Sequence, residues 1–471
     1  MIVAKFGGTS VGSADAVRTL VSIVADLQRR RPVVVVSATS GTTDALIRAA
    51  REAERGDRRG AQAELAAIAR RHEALAGELL GANADAVSGE IAALTARVEA
   101  LLSSVAILRE LTRRSLDAVV SYGEHVSATL VAATLNAANI RAEALSAENI
   151  IVTDDRFGGA GPLAADTRER AKREIAPRTA RGIVPVVTGF IGATREGVTT
   201  TLGRGGSDYS ASILAAALGA EDVLIFTDVN GIMSADPRSV PGARPLERVS
   251  YEEAQELSFF GAKVIHPRTV LPAIEAQIPV RILNTFDRSF AGTLITSEAE
   301  ATDGSIVKAT TSLGGLGLIT IEGAGMSGVP GMAARVFDTV AADGVSVLMI
   351  SQSSSEHNIC FVVAAEHTAR LIRDLERAFA AELGRHDVGR VYAEQPVAIV
   401  AAVGEGMKGT PGVAARVFTA LGRAKINVVA IAQGSSELNI SLVVDESQRD
   451  AAVRAIHEEF HGRNARAAAA S

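Results

Sequence analysis

The stretch IVAKFGGTSVGSADAV, residues 2–17, decides the fold. Ile2 to Phe6 is an apolar run of strand length, and Gly7-Gly8 marks a tight turn. Thr9 or Ser10 then offers a helix cap, and Ala16, Val17, Leu20, Val21 and Val24 recur at helical spacing. A second run, VVVVS (33–37), follows that helix. Apolar β-branched runs alternating with helices are the pattern of a parallel sheet covered on both faces. Lys5 sits one residue before the turn, so its ammonium faces a helix N-terminus, where phosphates collect. Because the lysine precedes the glycines, this is no Walker A loop, and the segment has no G-x-G-x-x-G fingerprint.

A second segment, TLGRGGSDYSA (201–211), carries complementary chemistry. Gly203, Gly205 and Gly206 let the backbone approach a ligand closely. Arg204 supplies a planar fork for a carboxylate or phosphate. Ser207 and Asp208 open the helical pattern SDYSASILAAALGA, whose first N–H groups face the same ligand. A flexible glycine loop before a capped helix has the same spelling, so this motif by itself leaves both readings open.

Four further segments join these two: VVVVSATSGTTD (33–44), SYGEHVSA (121–128), FTDVNGIMSADPR (226–238) and FFGAKVIHPRT (259–269). With KFGGTS (5–10) and the longer run VTGFIGATREGVTTTLGRGGSDYSA (187–211), they resemble the aspartate kinases of the amino-acid kinase family, in the family's order. The resemblance implies an α/β fold, an αβα sandwich around a largely parallel sheet, over residues 1–295. It also implies transfer of the γ-phosphoryl of ATP, with Mg²⁺, to the side-chain carboxylate of L-aspartate. Such a transfer asks the protein to position two anions and neutralise charge. A carboxylate nucleophile has no proton to lose, so no catalytic histidine is required.

On this resemblance Lys5 stabilises the moving phosphoryl, Gly7, Gly8 and Thr9 cradle it, and Asp208 orients Lys5. Arg204 clamps the α-carboxylate of aspartate and Glu124 accepts its α-ammonium. Ser37 and Thr43 meet the side-chain carboxylate, while Phe190, Thr201 and Ser207 wall the pocket. Thr227, Asp228, Arg238 and Lys263 match nucleotide-side positions, and Met233 stands where relatives often carry an aromatic beside adenine. Read without the family, Lys5 could snorkel from a strand end. Glu124 could be favoured by the helix dipole alone. Asp228 could be a turn former. His125 and His266 read as structural.

Composition narrows the setting. The chain has 471 residues, 48 basic against 54 acidic, for a formal net charge of −6, so electrostatics gives no case for nucleic acid. The single cysteine, Cys360, fits a reducing compartment. No apolar run of transmembrane length and no charged leader is read, which predicts a cytoplasmic protein without a membrane partner. No Cys/His cluster has metal spacing, so any metal is Mg²⁺ arriving with ATP. Residues 50–118, rich in Ala, Arg, Glu and Leu, read as a solvated helical insert broken near Gly81-Ala82-Asn83, without chemistry. Strand and helix return at 119–150, strands recur at 183–190 and 222–227, and IPVRILN (278–284) reads as the last strand of this region.

Beyond residue 300 the chain repeats itself. GVPGMAARVFDTVAADGVSVLMISQSSSEHNICFVV starts at Gly328, and GTPGVAARVFTALGRAKINVVAIAQGSSELNISLVV at Gly409. Pro330 and Pro411, Gln352 and Gln433, and Asn358 and Asn439 are each 81 apart. Each copy reads as strand, Pro-Gly turn, helix, strand, polar turn, strand, an α+β unit able to pair with the other. The copies resemble ACT domains, over 310–390 and 396–465, nearest to those of threonine-sensitive aspartate kinase–homoserine dehydrogenases. That likeness implies feedback inhibition by an end-product amino acid held by Gln352, Gln433, Asn358 and Asn439, and a homodimer or homotetramer. A glutamine amide both donates and accepts, which suits threonine. Glu356 and Glu437 keep lysine open. The chain stops at Ser471 with no room for a dehydrogenase, so it reads as monofunctional or as a trimmed bifunctional enzyme. A kinase for another amino acid, or an inactive amino-acid sensor, are the alternatives.

Overall fold

The computed structural model describes residues 1–260, 267–297, 305–352 and 357–462. It divides into two compact units. The first holds Met1–Ile232, Glu247–Tyr251 and Val264–Ala299; the second holds Met233–Leu246, Glu252–Lys263 and Glu300–Ser471. Residues 233–246 and 252–263, inside the 1–295 region read from the sequence, thus belong to the second compact unit.

In the first unit the strands are β1 (Ile2–Phe6), β2 (Pro32–Val36), β3 (Ala142–Leu145), β4 (Val184–Thr188), β5 (Ile191–Ala193), β6 (Thr199–Thr201), β7 (Val223–Thr227), β8 (Arg248–Ser250), β9 (Val280–Asn284) and β10 (Thr293–Thr296). Eight of them form one sheet in the order β3-β4-β2-β1-β7-β9-β10-β8, while β5 and β6 make a separate antiparallel ribbon. Every pairing in the large sheet is parallel except β9 with β10. Residues 278–284 are thus not the last strand: the chain reverses through Gly292, at φ +86°, and β10 returns beside β9.

Alternation along β1 sorts its side chains. Ile2, Ala4 and Phe6 join a core with α1 (Ala14–Leu27) and with α6 (Tyr122–Ala137), whereas Val3 and Lys5 point to the opposite face. On that face α8 (Gly206–Leu218) packs against β1, β2 and β7. Between these helices in sequence lie α2 (Thr42–Glu54), α3 (Arg58–Leu80), α4 (Asp85–Leu108), α5 (Arg113–Val120) and α7 (Ala164–Ala180), followed by α10 (Pro267–Glu275), while α9 (Tyr251–Phe259) lies in the second unit from Glu252 on. The cap of α1 is not Thr9 or Ser10. Thr9–Val11 forms a 3₁₀ turn, and the hydroxyl of Ser13 accepts from Ala16 N at 3.3 Å.

The insert breaks at Gly81–Asn83, as its sequence predicts, but it is more than a solvated excursion. Leu65, Ile68, Leu75, Ile91, Val98 and Leu102 bury themselves in one cluster with α2 and α6. Small and charged neighbours hide that stripe in the sequence. α4 also corrects the membrane reading: by length and composition alone it is long and apolar enough to span a bilayer. Its Val87, Ile91, Val98, Leu102 and Val105 form part of the insert's core, and 22% of its apolar stretch is buried.

The second unit carries β11 (Ala309–Glu322), β12 (Met349–Gln352), β13 (Asn358–Ala364), β14 (Arg390–Val403), β15 (Ala430–Ala432) and β16 (Asn439–Asp445). Its helices are α11 (Met332–Ala342), α12 (Ala365–Ala378), α13 (Ala380–Arg385), α14 (Val413–Arg423) and α15 (Arg449–His461). The sheet order is β12-β13-β11-β14-β16-β15, all antiparallel. Each copy has a second helix, α12 or α15, beyond the pattern read from its sequence.

The two central strands are shared. Residues 316–322 of β11 pair with β13 and with 390–397 of β14, while 397–403 of β14 pair with β16 and, from residue 399, with 309–313 of β11. A register shift at Leu313–Leu316 separates the halves. Each four-stranded half-sheet therefore borrows an edge strand from the other copy's segment, so the copies do not separate cleanly between 390 and 396. Each keeps its own core, one around Phe361 and Leu371, the other around Val400, Leu442 and Ile456.

Candidate functional site

Parallel strands put all their C-terminal ends on one edge, and there the loops after β1, β2 and β4 meet. They meet the N-terminus of α8 around a cavity of about 420 Å³. Lys5, Ser37, Thr43, Glu124, Phe190, Arg204, Ser207 and Asp208 all line it. Lys5 reaches it because its side chain leaves β1 on the α8 face. Its Nζ lies 2.6 Å from Asp208 Oδ1, with side chains only 10% and 14% exposed. Gly7 stands beside this ammonium: a methyl group on its Cα would sit 3.5 Å from Nζ. Gly8 has less room, since a Cβ there would approach the Ala38 carbonyl to 2.8 Å. Thr9 is exposed at the turn.

Glu124 enters from the first turn of α6 and is 2% exposed. Its Oε1 accepts from Ala38 N at 3.2 Å, and its buried Oε2 has no hydrogen-bond partner. Burial pushes its carboxyl up to about 8, against the downward pull of the Ala38 and Glu124 N–H groups. Gly123 allows this approach, because a Cβ there would stand 2.6 Å from Ala38 Cβ.

The glycine loop is locked to Phe190, which holds the left-handed region at φ +65°. Phe190 N donates to Ser210 Oγ at 3.0 Å, and its carbonyl accepts from Leu202 N at 2.8 Å. Gly206 is required beneath the ring, since its Cβ would stand 2.5 Å from Phe190 Cδ2. Arg204 is exposed at the cavity rim, and Gly203 and Gly205 adopt φ +80° and +69°.

Thr201, read as part of the pocket wall, is held from behind by a carboxylate. Its hydroxyl donates to Asp117 Oδ1 at 2.8 Å and its N–H to Asp117 Oδ2 at 2.9 Å. Asp117, 2% exposed on α5, also accepts from Gly158 N at 2.9 Å. The sequence reading misses this residue, although a carboxylate inside the apolar run SLDAVV is its signal. His125 has a structural part: its Nε2 lies 3.3 Å from Glu148 Oε2. Burial opposes the ionised Glu148, but hydrogen bonds from His125, Thr199 and Ser146 hold its carboxyl down at about 2.

Of the residues read as nucleotide-side, Thr227 ends β7 beside β1 and Asp228 follows it, with Thr227 Oγ1 donating to Asp228 at 3.2 Å. Met233 and Arg238 belong to the second unit, where Met233 bridges to Pro245 and Arg238 grips Asp236 at 2.6 Å. Lys263 lies outside the described residues. Among the described residues no group of three or more His, Cys, Asp or Glu could hold a metal.

In the second unit Gln352 ends β12 and Asn358 opens β13, and Gln433 and Asn439 hold the equivalent places beside β15 and β16. Asn439 donates to Glu256 of α9.

The model of the amino acid kinase family matches residues 1–284, and that of the ACT domain matches 319–379 and 400–460. A chloroplastic bifunctional aspartokinase/homoserine dehydrogenase of Arabidopsis thaliana is 36% identical over 465 residues, 97% of this chain and 50% of that protein. The chain thus spans about half the length of such relatives. The structure of E. coli aspartokinase III with aspartate and ADP, in the R state, superposes with a TM-score of 0.83 at 32% identity. It covers 98% of this chain and 99% of that one. The same enzyme with lysine and aspartate, in the T state, gives 0.79 at the same identity and coverage.

Proposed function

This chain belongs to the amino-acid kinase family, as an aspartokinase followed by ACT domains, and from that premise we propose that it phosphorylates the side-chain carboxylate of L-aspartate with ATP. The observation that carries the reading is the meeting of one ion pair, Lys5 with Asp208, and one buried, half-unpartnered carboxylate in a single cavity at the strand ends. Glu124 suits an α-ammonium, and Arg204 on the rim suits the α-carboxylate, so a free amino acid fits better than an acylated one. Bound this way, aspartate turns its side chain toward Ser37, Thr43 and Lys5. ADP and aspartate in the E. coli relative support the same pair of ligands.

The obstacle to reaction is repulsion between a carboxylate and a triphosphate. Lys5 offsets it at the transferring phosphoryl, with the Gly7 and Gly8 backbone around it, and Asp208 fixes the ammonium in place. The carboxylate attacks the γ-phosphorus and the bond to the β-bridging oxygen breaks, with no proton to remove. Mg²⁺ would add charge neutralisation on the phosphates, held through phosphate oxygens more than by this chain. Thr227 and Asp228 suit the nucleotide side, and Met233, Arg238 and Lys263 are proposed there from their motifs.

The ACT pair is the proposed sensor of an end product of aspartate-derived amino-acid synthesis. Gln352 and Gln433 with Asn358 and Asn439 favour threonine; lysine is second, supported by its presence in the T-state relative. A homodimer or homotetramer is proposed with it. The test is ATP- and Mg²⁺-dependent formation of hydroxylamine-trappable acyl phosphate from aspartate, with threonine and lysine added in parallel. Product that falls with threonine alone supports both parts. No product from aspartate, with glutamate and acetylglutamate tested beside it, removes the kinase reading.

A further inference from the structure

The loop after β2 holds the Glu124 carboxylate through Ala38 N, and its Thr39 and Thr42 are buried. It borders a second cavity of about 300 Å³, lined by Ser13, Thr39, Arg71, His72, Leu75 and Glu78. Hydrogen bonds from the helical insert fasten it there. His72, fully buried on α3, places Nδ1 2.9 Å from the Ile68 carbonyl and Nε2 3.0 Å from Thr39 Oγ1. A carbonyl only accepts, so Nδ1 carries the proton and Nε2 accepts from the Thr39 hydroxyl. Thr39 Oγ1 in turn lies 2.6 Å from Thr42 Oγ1, and Arg71 donates to both hydroxyls. With the Thr39 proton committed to His72, Thr42 donates to Thr39. Every proton in the chain has one direction. Burial lowers His72 to about 4, so the imidazole stays neutral around pH 7 and this direction holds.

We propose that Arg71 and His72 of the insert are positioning residues for the aspartate subsite. They act through Thr39 and Thr42 on the 37–43 loop, which supplies Ser37 and Thr43 to the cavity and Ala38 N to Glu124. The insert, which its composition marks as a solvated appendage, thereby sets the geometry in which the substrate's amino group is met. Neither residue touches substrate, and Arg71 and His72 make their hydrogen bonds to Thr39 and Thr42, whereas the loop after β1 meets the 37–43 loop by a separate bond, Ser40 N to the Gly8 carbonyl at 3.2 Å.

The inference rests on the proposed aspartate kinase reaction, so wild-type turnover is measured first in the hydroxamate assay on the full chain. Absence of turnover would overturn the reaction itself. With turnover present, His72→Leu and Arg71→Ala should each raise KM for aspartate about tenfold, the scale of one lost, well-placed hydrogen bond. KM for MgATP should stay within about twofold. His72→Gln keeps an acceptor for the Thr39 hydroxyl and should recover most of the loss. Arg71 is exposed, so its substitution leaves the fold intact if His72→Leu does not. Unchanged KM for aspartate in Arg71→Ala, an equal rise for both substrates, or a His72→Gln variant no better than His72→Leu would each overturn the proposal.

Discussion

Lys5 Nζ and Asp208 Oδ1 stand 2.6 Å apart, one at the end of the first strand and the other in the first turn of α8. The pair joins the two loops that a phosphoryl must visit. Asp208 fixes the ammonium but leaves its positive charge facing the cavity, where little solvent screens it.

Lys5→Met should therefore lower kcat by about 10³ or more, because the charge that meets the moving phosphoryl is gone. Asp208→Asn keeps the charge and loses only its anchor, so a drop of about 10–100-fold is expected. Threonine or lysine binding to the second unit, followed by calorimetry, should survive both. Equal losses in the two variants would put Asp208 in the chemistry itself.

Glu124 makes a pH prediction whose sign follows from its partners. Below about pH 4.5 folded and unfolded chains both hold its proton, and above about 8 neither does. Between these values the folded state binds more protons, so the Glu124 contribution to stability falls as pH rises. Glu124→Gln should lose that slope, and its melting temperature relative to wild type should climb from pH 5 to 8. An ammonium set against the vacant Oε2 reverses the balance, because it favours the charged form. Aspartate binding at pH 7 should release close to one proton to the buffer in wild type and none through residue 124 in Glu124→Gln. Calorimetry in buffers of different ionisation enthalpy reads this directly, and proton uptake would contradict it.

Asp117 predicts a split between stability and catalysis. Asp117→Ala leaves the N–H groups of Gly158 and Thr201 and the Thr201 hydroxyl without their acceptor, at a cost of about 3 kcal/mol. Thr201→Val removes one of those bonds and should cost about 1 kcal/mol. Both substitutions loosen the base of the loop that carries Arg204, so KM for aspartate should rise more than KM for MgATP. Urea titration and initial rates on the same samples test the two halves. Full stability with a raised KM would mean that Asp117 meets substrate directly.

What the sequence made legible follows the range of the forces involved. β1, the Gly7-Gly8 turn and the start of α8 are local patterns, and the residues they carry converge on one cavity. Asp117 escaped because its meaning lies in a pairing with Thr201, 84 residues away. β8 and β10, at three and four residues, are too short for periodicity to register. The insert hid its buried stripe among alanines and arginines, and with it the grip of Arg71 and His72 on Thr39. The sharing of β11 and β14 could not be read at all, since the partner of each half is fixed by strands distant in sequence, β13 for one and β16 for the other. Met233 and Arg238 show the limit of contiguous motifs: FTDVNGIMSADPR starts in one compact unit and ends in the other.

The second unit offers a test of buried charge. Lys308 and Glu253 lie 2.8 Å apart at 5% and 0% exposure, and the second oxygen of Glu253 accepts from Glu405 N at 2.7 Å. Residue 308 leads into the part of β11 that completes the second repeat's sheet, and residue 405 follows β14, so the pair pins both ends of that join. Removing either charge takes this counter-ion from the other in a low dielectric, at a cost of about 3–5 kcal/mol. Lys308→Met and Glu253→Gln should each speed hydrogen exchange in β14 and β16, read by mass spectrometry on the full chain. The double variant carries neither charge and keeps an acceptor for Glu405 N, so it should recover most of the protection. That recovery is the coupling a double-mutant cycle measures, and about 2 kcal/mol is expected. Additive losses would show instead that the two side chains act separately, Glu253 through its Glu405 contact and Lys308 through the packing of its stem.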